Sequence, residues 1–233
     1  MTTIVFNADL EALATKISFS VGETDVYITN GSAAKLTRNL ATGTAEGVVV
    51  GTPAISAAST RFTGNSNYIN TQIDDTTAMT VFAIFKRPSG WSGDAMVVSN
   101  NGVGAAIGSS LWLFANGNVG LAAARDNGSG GQTSAVAQIT PADPTAWGLV
   151  VAEGGSVNKI TNITTSQTAS SGVSAARITA PSKLRIGSSY NASHTAQVDV
   201  MVCVVVPRVL TTLETDSVIA QLRAYAAKYG VTV

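Results

Sequence analysis

Near the end of the chain the pattern of apolar and polar positions changes period twice. Gln197 and Asp199 alternate with Val198 and Val200, after which every position from Met201 to Val206 is apolar until Pro207 stops the run. A short β-branched run ended by proline predicts a strand covered on both faces. Thr211, with Glu214 three residues on, forms a capping box in which hydroxyl and carboxylate each satisfy an amide donor, and predicts a helix over 211–229. Its apolar side is Val218, Leu222, Tyr225, Ala226 and Tyr229, with Gly230 placed for a left-handed cap. The rest of the chain must then supply sheets on which both elements pack.

Upstream, short β-patterned stretches recur at 25–29, 48–50, 60–64, 68–72, 79–86, 95–99, 111–114, 119–124, 133–139, 147–152, 157–164 and 183–187. Turn pairs such as Asn30-Gly31 and Asn116-Gly117, and Gly-Asn-Ser-Asn at 64–67, punctuate them. At the start, 1–6 reads as a strand and Leu10, Leu13, Ala14 and Ile17 as one side of a short helix. Strand does not alternate with helix and no long repeat occurs, so the pattern predicts an all-β antiparallel two-sheet sandwich with a C-terminal helix. Phe62, Tyr68, Phe82, Phe85, Trp112, Trp147 and Ile186 are expected to fill its core. Residues 1–30 are expected to form a separate segment, an assembly arm, and 31–233 the sandwich domain.

Composition narrows the partners. Of 233 residues 45% are hydrophobic and 12% charged, well under the roughly 25% charge of ordinary soluble domains. Such a surface of Ser, Thr, Asn, Gln and Gly suits bound protein neighbours or neutral polar ligands such as sugars. Fourteen basic residues balance fourteen acidic ones, which argues against nucleic acid as a main partner. No apolar run approaches the ~20 residues of a membrane-spanning helix. Cys203, the single cysteine, sits in the apolar strand and is expected to be inert. The N-terminus lacks a basic region before an apolar core, so synthesis in the cytoplasm without a signal peptide is expected.

Five stretches, RFTGNSNYINT (61–71), MTVFAIFKR (79–87), AWGLVVAEGGSVNKITNIT (146–164), KLRIGSS (183–189) and VDVMVCVVVPRVLTTLE (198–214), follow one another as in the concanavalin A-like lectin/glucanase superfamily, and the chain resembles its laminin-G-like jelly rolls. The ending AAKYGV is similar to endings of such domains in tailed-bacteriophage virion proteins. The resemblance implies a jelly-roll sandwich, a place in a virion among other virion proteins, homo-oligomerisation and contact with a host-surface glycan. The hairpin Asp of laminin-G relatives is Thr63 here, and no calcium site is carried over.

Glycan-cleaving members of the superfamily use acidic residues two apart on one strand, and retaining hydrolysis places carboxyls about 5–5.5 Å apart. No E-x-D-x-E strand exists in this chain. Asp74-Asp75 is expected to be a solvated turn, Asp199 a hydrogen-bonded structural residue, and His194, the one histidine, an exposed loop residue. The glycines at 102–108 lack the helix a phosphate cradle needs. No cofactor, metal or catalytic residue is expected. Ligand binding is assigned instead to three loops carrying Trp91, then Arg125, Asp126 and Asn127, then Tyr190, Asn191 and His194. The expected function is a non-enzymatic virion structural or adhesion protein; the alternatives are a glycan hydrolase with a degenerate site around Asp199 or Asp74-Asp75, and a free lectin-like module.

Overall fold

The computed structural model describes residues 21–22, 24–41, 45–102, 107–172 and 174–233. The strand expected at 1–6, the helix at 10–17, the proposed arm they form and most of the glycine-rich 102–108 stretch lie outside the described residues. In chain order the elements are β1 (Asp25–Ile28), α1 (Ala33–Leu36), β2 (Val48–Val50), β3 (Ala54–Ile55), β4 (Thr60–Thr63), β5 (Tyr68–Asn70), β6 (Met79–Lys86), β7 (Ala95–Ser99) and β8 (Ser109–Leu113). They continue through β9 (Val119–Asp126), β10 (Gln132–Ile139), β11 (Gly148–Gly154), β12 (Asn158–Asn162), β13 (Gln167–Ser170), β14 (Arg185–Ile186), β15 (Gln197–Val206) and α2 (Thr212–Ala227). Two antiparallel sheets result. One runs β13-β12-β11-β6-β15-β4-β3, with β1 also on β15, and the other β10-β9-β8-β7-β14-β5-β2.

β15 is the strand around which the layers form. Its Val198, Val200, Cys203 and Val205 face the second sheet, alongside Val81, Ala83 and Phe85 of β6. Its Met201, Val202, Val204 and Val206 face the other way, with Phe82, Ile84, Leu149 and Val151, onto Val218, Leu222, Tyr225 and Ala226 of α2. Strict alternation would not place residues 198, 200, 203 and 205 on one face. The register shift between Val200 and Val202 inserts Met201 as an extra residue and inverts the parity. At the same point the free edge of β15 changes partner, from β4 at residues 197–200 to β1 at residues 202–205. Thr29 closes the seam: its amide donates to Met201 O at 3.0 Å and its hydroxyl to Val200 O at 2.6 Å. The Thr60 hydroxyl donates in turn to Thr29 O.

α2 begins as its sequence predicts. Thr211 N donates to Glu214 Oε2 at 2.9 Å and Glu214 N to Thr211 Oγ1 at 3.4 Å. Hydrogen bonding from Arg208, then from Thr211, holds the Glu214 carboxyl down to about 2. At the other end Gly230, at φ 70°, lets Val231 N reach Ala226 O at 3.2 Å and Gly230 N reach Ala227 O at 3.1 Å, a Schellman closure. The chain is an antiparallel two-sheet jelly-roll sandwich with a C-terminal helix: the pattern predicts the sandwich and the helix, and the resemblance implies the jelly roll.

Several details differ from the sequence reading. Residues 25–28, placed by sequence in the N-terminal segment, are β1 and pair with β15. The stretch 157–164 gives β12 and then turns into β13, whose polar, half-buried QTAS carries no apolar signal. The seven large residues do not share one core: Phe62, Phe85 and Ile186 lie between the sheets, and Phe82 and Trp147 pack on the helix side. Tyr68 and Trp112 belong to neither cluster. Burial pushes the Cys203 thiol well above its ordinary value, which keeps it protonated and unreactive.

Leu222 is 0% exposed and Leu213, on the same helix, 83%. Leu222→Ala should therefore lower the unfolding free energy in urea by about 2–5 kcal/mol, whereas Leu213→Ala should stay within about 0.5 kcal/mol of wild type.

Candidate functional site

The segment joining β14 to β15 crosses the outer face of the seven-stranded sheet as a strap along β7. Tyr190 N donates to Asn101 O at 2.7 Å just beyond one end of β7, and Ala196 N to Asp94 O at 3.2 Å just before the other. This course accounts for the burial of Met96 and Ser99, whose side chains the register turns outward. Two glycines permit it. A Cβ on Gly64 would stand 1.9 Å from His194 O, and Gly187, at φ 83°, would put one 2.3 Å from Phe62 Cβ. The β4–β5 hairpin clamps the strap from the side: Asn65 N donates to Ser188 Oγ at 3.0 Å and Asn65 Nδ2 to Asn191 O at 3.1 Å.

Beneath and along the strap runs a continuous row of rings and polar groups. Trp112 stacks on Phe114, centroids 4.6 Å apart, and meets the His194 ring at 4.9 Å. His194 Nδ1 shares a 2.9 Å hydrogen bond with the Ser189 hydroxyl. Ser189 O accepts from Arg185 Nη1 at 2.7 Å, and Asn70 Oδ1 accepts from Arg185 Nε at 2.8 Å. The Arg185 guanidinium lies 3.5 Å from the Tyr190 ring centroid and 4.6 Å from that of Tyr68. Arg185 and Tyr190 remain half-buried, so a stacked cation and ring are open to a ligand.

Of the seven residues assigned from sequence, the structure brings Tyr190, Asn191 and His194 into this row. His194 is 5% exposed, a correction to the exposed-loop reading; the strap folds it onto Trp112. The Ser189–His194 pair is not a nucleophile site, because Ser189 is fully buried and offers a substrate no approach. Trp91 is half-buried, its ring beside Gly117 of the β8–β9 turn and 4.0 Å above the Arg87 guanidinium. Arg87 is itself buried, donating to Gly93 O at 3.2 Å and Phe114 O at 2.6 Å, and burial pulls it down to about 10. Trp91 therefore caps a structural arginine.

The remaining group lies at the far end of β9. Arg125, 1% exposed, is a second correction: it donates to the carbonyls of Ser156, Ala175 and Gly155 and to Asn158 Oδ1 at 2.6–2.9 Å and holds loops in place. Asp126 and Asn127 are exposed but fold their own loop, accepting from the amides of Gly128, Ser129 and Gly131. Asp75 is a third correction. Rather than a solvated turn it makes a buried ion pair with Arg177, supported by Ser109 Oγ and Ala180 N, while Asp74 is exposed and pairs with Lys183 at 2.7 Å. Asp199 accepts Arg61 through both oxygens at 2.8 and 2.9 Å, the structural role expected of it. Among the described residues no three His, Cys, Asp or Glu side chains converge as a metal site.

Arg185 and Trp112 escaped the sequence reading as partly exposed groups, whereas Tyr68 is buried as expected. The signal was parity: Arg185 precedes the core residue Ile186, and Trp112 lies between the core residues Leu111 and Leu113.

No protein-family model matches the sequence, and no curated protein matches it. Solved structures do match in shape. The binding domain of botulinum neurotoxin DC in complex with SialylT superposes with a TM-score of 0.60 at 10% identity, over 85% of this chain and 51% of that one. The receptor-binding domain of botulinum neurotoxin D gives 0.60 at 11%, over 88% and 53%. A Trypanosoma rangeli sialidase mutant displaying trans-sialidase activity gives 0.56 at 12%, over 87% and 33%. The likeness is one of fold. The chain spans about half the length of the neurotoxin domains it matches.

Burial pulls the His194 imidazole below its ordinary value, against a smaller opposing effect of Asp94. The unfolded chain then binds the proton more tightly, so stability is full above about pH 6.5 and falls as pH drops from there toward the folded value. The melting temperature should decline as pH is lowered below about 6.5, and His194→Gln should flatten that part of the profile.

Proposed function

We propose that this chain is a non-enzymatic, lectin-like adhesion module that binds a glycan on the outer face of the seven-stranded sheet, over the strap. The observation that carries this reading is the stack of Tyr190 and Arg185, half-buried at the surface over a buried Tyr68 and bordered by Asn70, Asn101 and Asn191. A half-buried ring offers a sugar an apolar face, and neighbouring amides and a guanidinium offer its hydroxyls partners. Two similar folds favour the same ligand class: one neurotoxin binding domain is described in complex with SialylT, and cell entry of neurotoxin type C as dependent upon interaction with two ganglioside molecules. The absence of catalysis is supported by the two carboxylates a degenerate hydrolase site would use, since Asp75 is held by Arg177 and Asp199 by Arg61.

The setting belongs to the same proposal. The AAKYGV ending and the low charge support a place on a tailed-bacteriophage particle, synthesised in the host cytoplasm and assembled with other virion proteins as a homo-oligomer. The test is a glycan array probed with the whole chain. Binding should occur and fall at least about tenfold, roughly 1.4 kcal/mol, in Tyr190→Ala, with Trp91→Ala close to wild type. A blank array, or binding untouched by Tyr190→Ala, contradicts the reading.

A further inference from the structure

We infer that Arg185 is the subsite for one negative charge on the ligand, a carboxylate or a sulfate ester, so that the glycan bound over the strap is an acidic one; this rests on the glycan-binding reading above and adds its ligand class. Three observations carry it. The guanidinium is held at several points: Nε donates to Asn70 Oδ1 at 2.8 Å, Nη1 to Ser189 O at 2.7 Å, and its carbon lies 3.5 Å from the Tyr190 ring centroid and 4.6 Å from that of Tyr68. Its Nη2 has no acceptor among the described residues and is not among their buried unpartnered atoms, so that donor faces solvent. Among the described residues no carboxylate forms an ion pair with it. The described ion pairs occupy Arg61, Lys159, Arg177, Lys183 and Arg208.

A guanidinium already immobilised loses little side-chain entropy when it grips an acceptor, and its hydrogen bonds to an anion are stronger than those to a hydroxyl. The charge is also single. With fourteen basic and fourteen acidic residues the chain offers no extended positive field, so one anionic group beside sugar hydroxyls fits it better than a phosphate backbone does.

The experiment is ligand-observed NMR titration of the whole chain with lactose, 3′-sialyllactose and 3′-sulfolactose. At least one acidic sugar should bind about tenfold more tightly than lactose, and Arg185→Gln should remove that preference, so that the variant binds the acidic sugars no more tightly than it binds lactose. Preference for sialyllactose alone assigns a carboxylate, for sulfolactose alone a sulfate, and for both the charge itself. Should Arg185→Gln fail to fold, the wild-type protein still decides: raising salt from about 50 to about 500 mM should weaken the acidic sugars several-fold and leave lactose unchanged. Equal, salt-insensitive binding of neutral and acidic sugars, or neutral hits on the array with none of the acidic ones, overturns the inference and leaves glycan binding standing. A blank array overturns both.

Discussion

The structure depends on one strand being buried on both faces. β15 must present apolar side chains to the second sheet and to α2 at once, and an unbroken pleat cannot do so while its edge serves two different partners. The extra residue at Met201 resolves the conflict by inverting the parity where β4 hands over to β1. Thr29 satisfies the β15 carbonyls at the bulge, its hydroxyl donating to Val200 O and its amide to Met201 O, and the Thr60 hydroxyl donates in turn to Thr29 O. This is a costly place to leave a polar group unpaired, since neither face of the strand meets water.

The same strand places the candidate site. Because β14 lies in one sheet and β15 in the other, the chain between them must cross the sandwich, and it does so along β7. The path is set by sterics: backbone passes so close at Gly64 and Gly187 that no side chain fits. Loops elsewhere are tied down by buried arginines whose donors go largely to backbone carbonyls, Arg87 under Trp91 and Arg125 at the far end of β9. Arg185 uses the same geometry differently. It is held as firmly, yet at the surface, with part of its fork unspent.

The strands with strong local patterning could be read directly from the residues. β6 and β7 lie where predicted, as do the capping box at Thr211 and the helix face of Val218, Leu222, Tyr225 and Ala226, because β-branched runs and caps act locally. β13 carries little apolar signal and β3 is two residues long, too short to show a period; both lie at the edges of their sheet. The site was seen in part. Tyr190 follows a glycine-serine loop and invited attention, but His194 looks exposed in a sequence and is buried only because the strap folds it onto Trp112. Arg125 and Asp75 are polar residues whose partners lie 30 or more positions away, Arg125 on Gly155 and Asp75 on Arg177, a pairing that no local pattern contains.

Native-state hydrogen exchange of β15 tests the central role of this strand most directly. If its two-faced burial holds both layers together, the amides of residues 202–206 should exchange only through global unfolding, with an opening free energy equal to that from urea denaturation. Exchange of these amides at a clearly lower free energy than those of β9 or α2 would mean that the sandwich survives without β15 in place, and would contradict it.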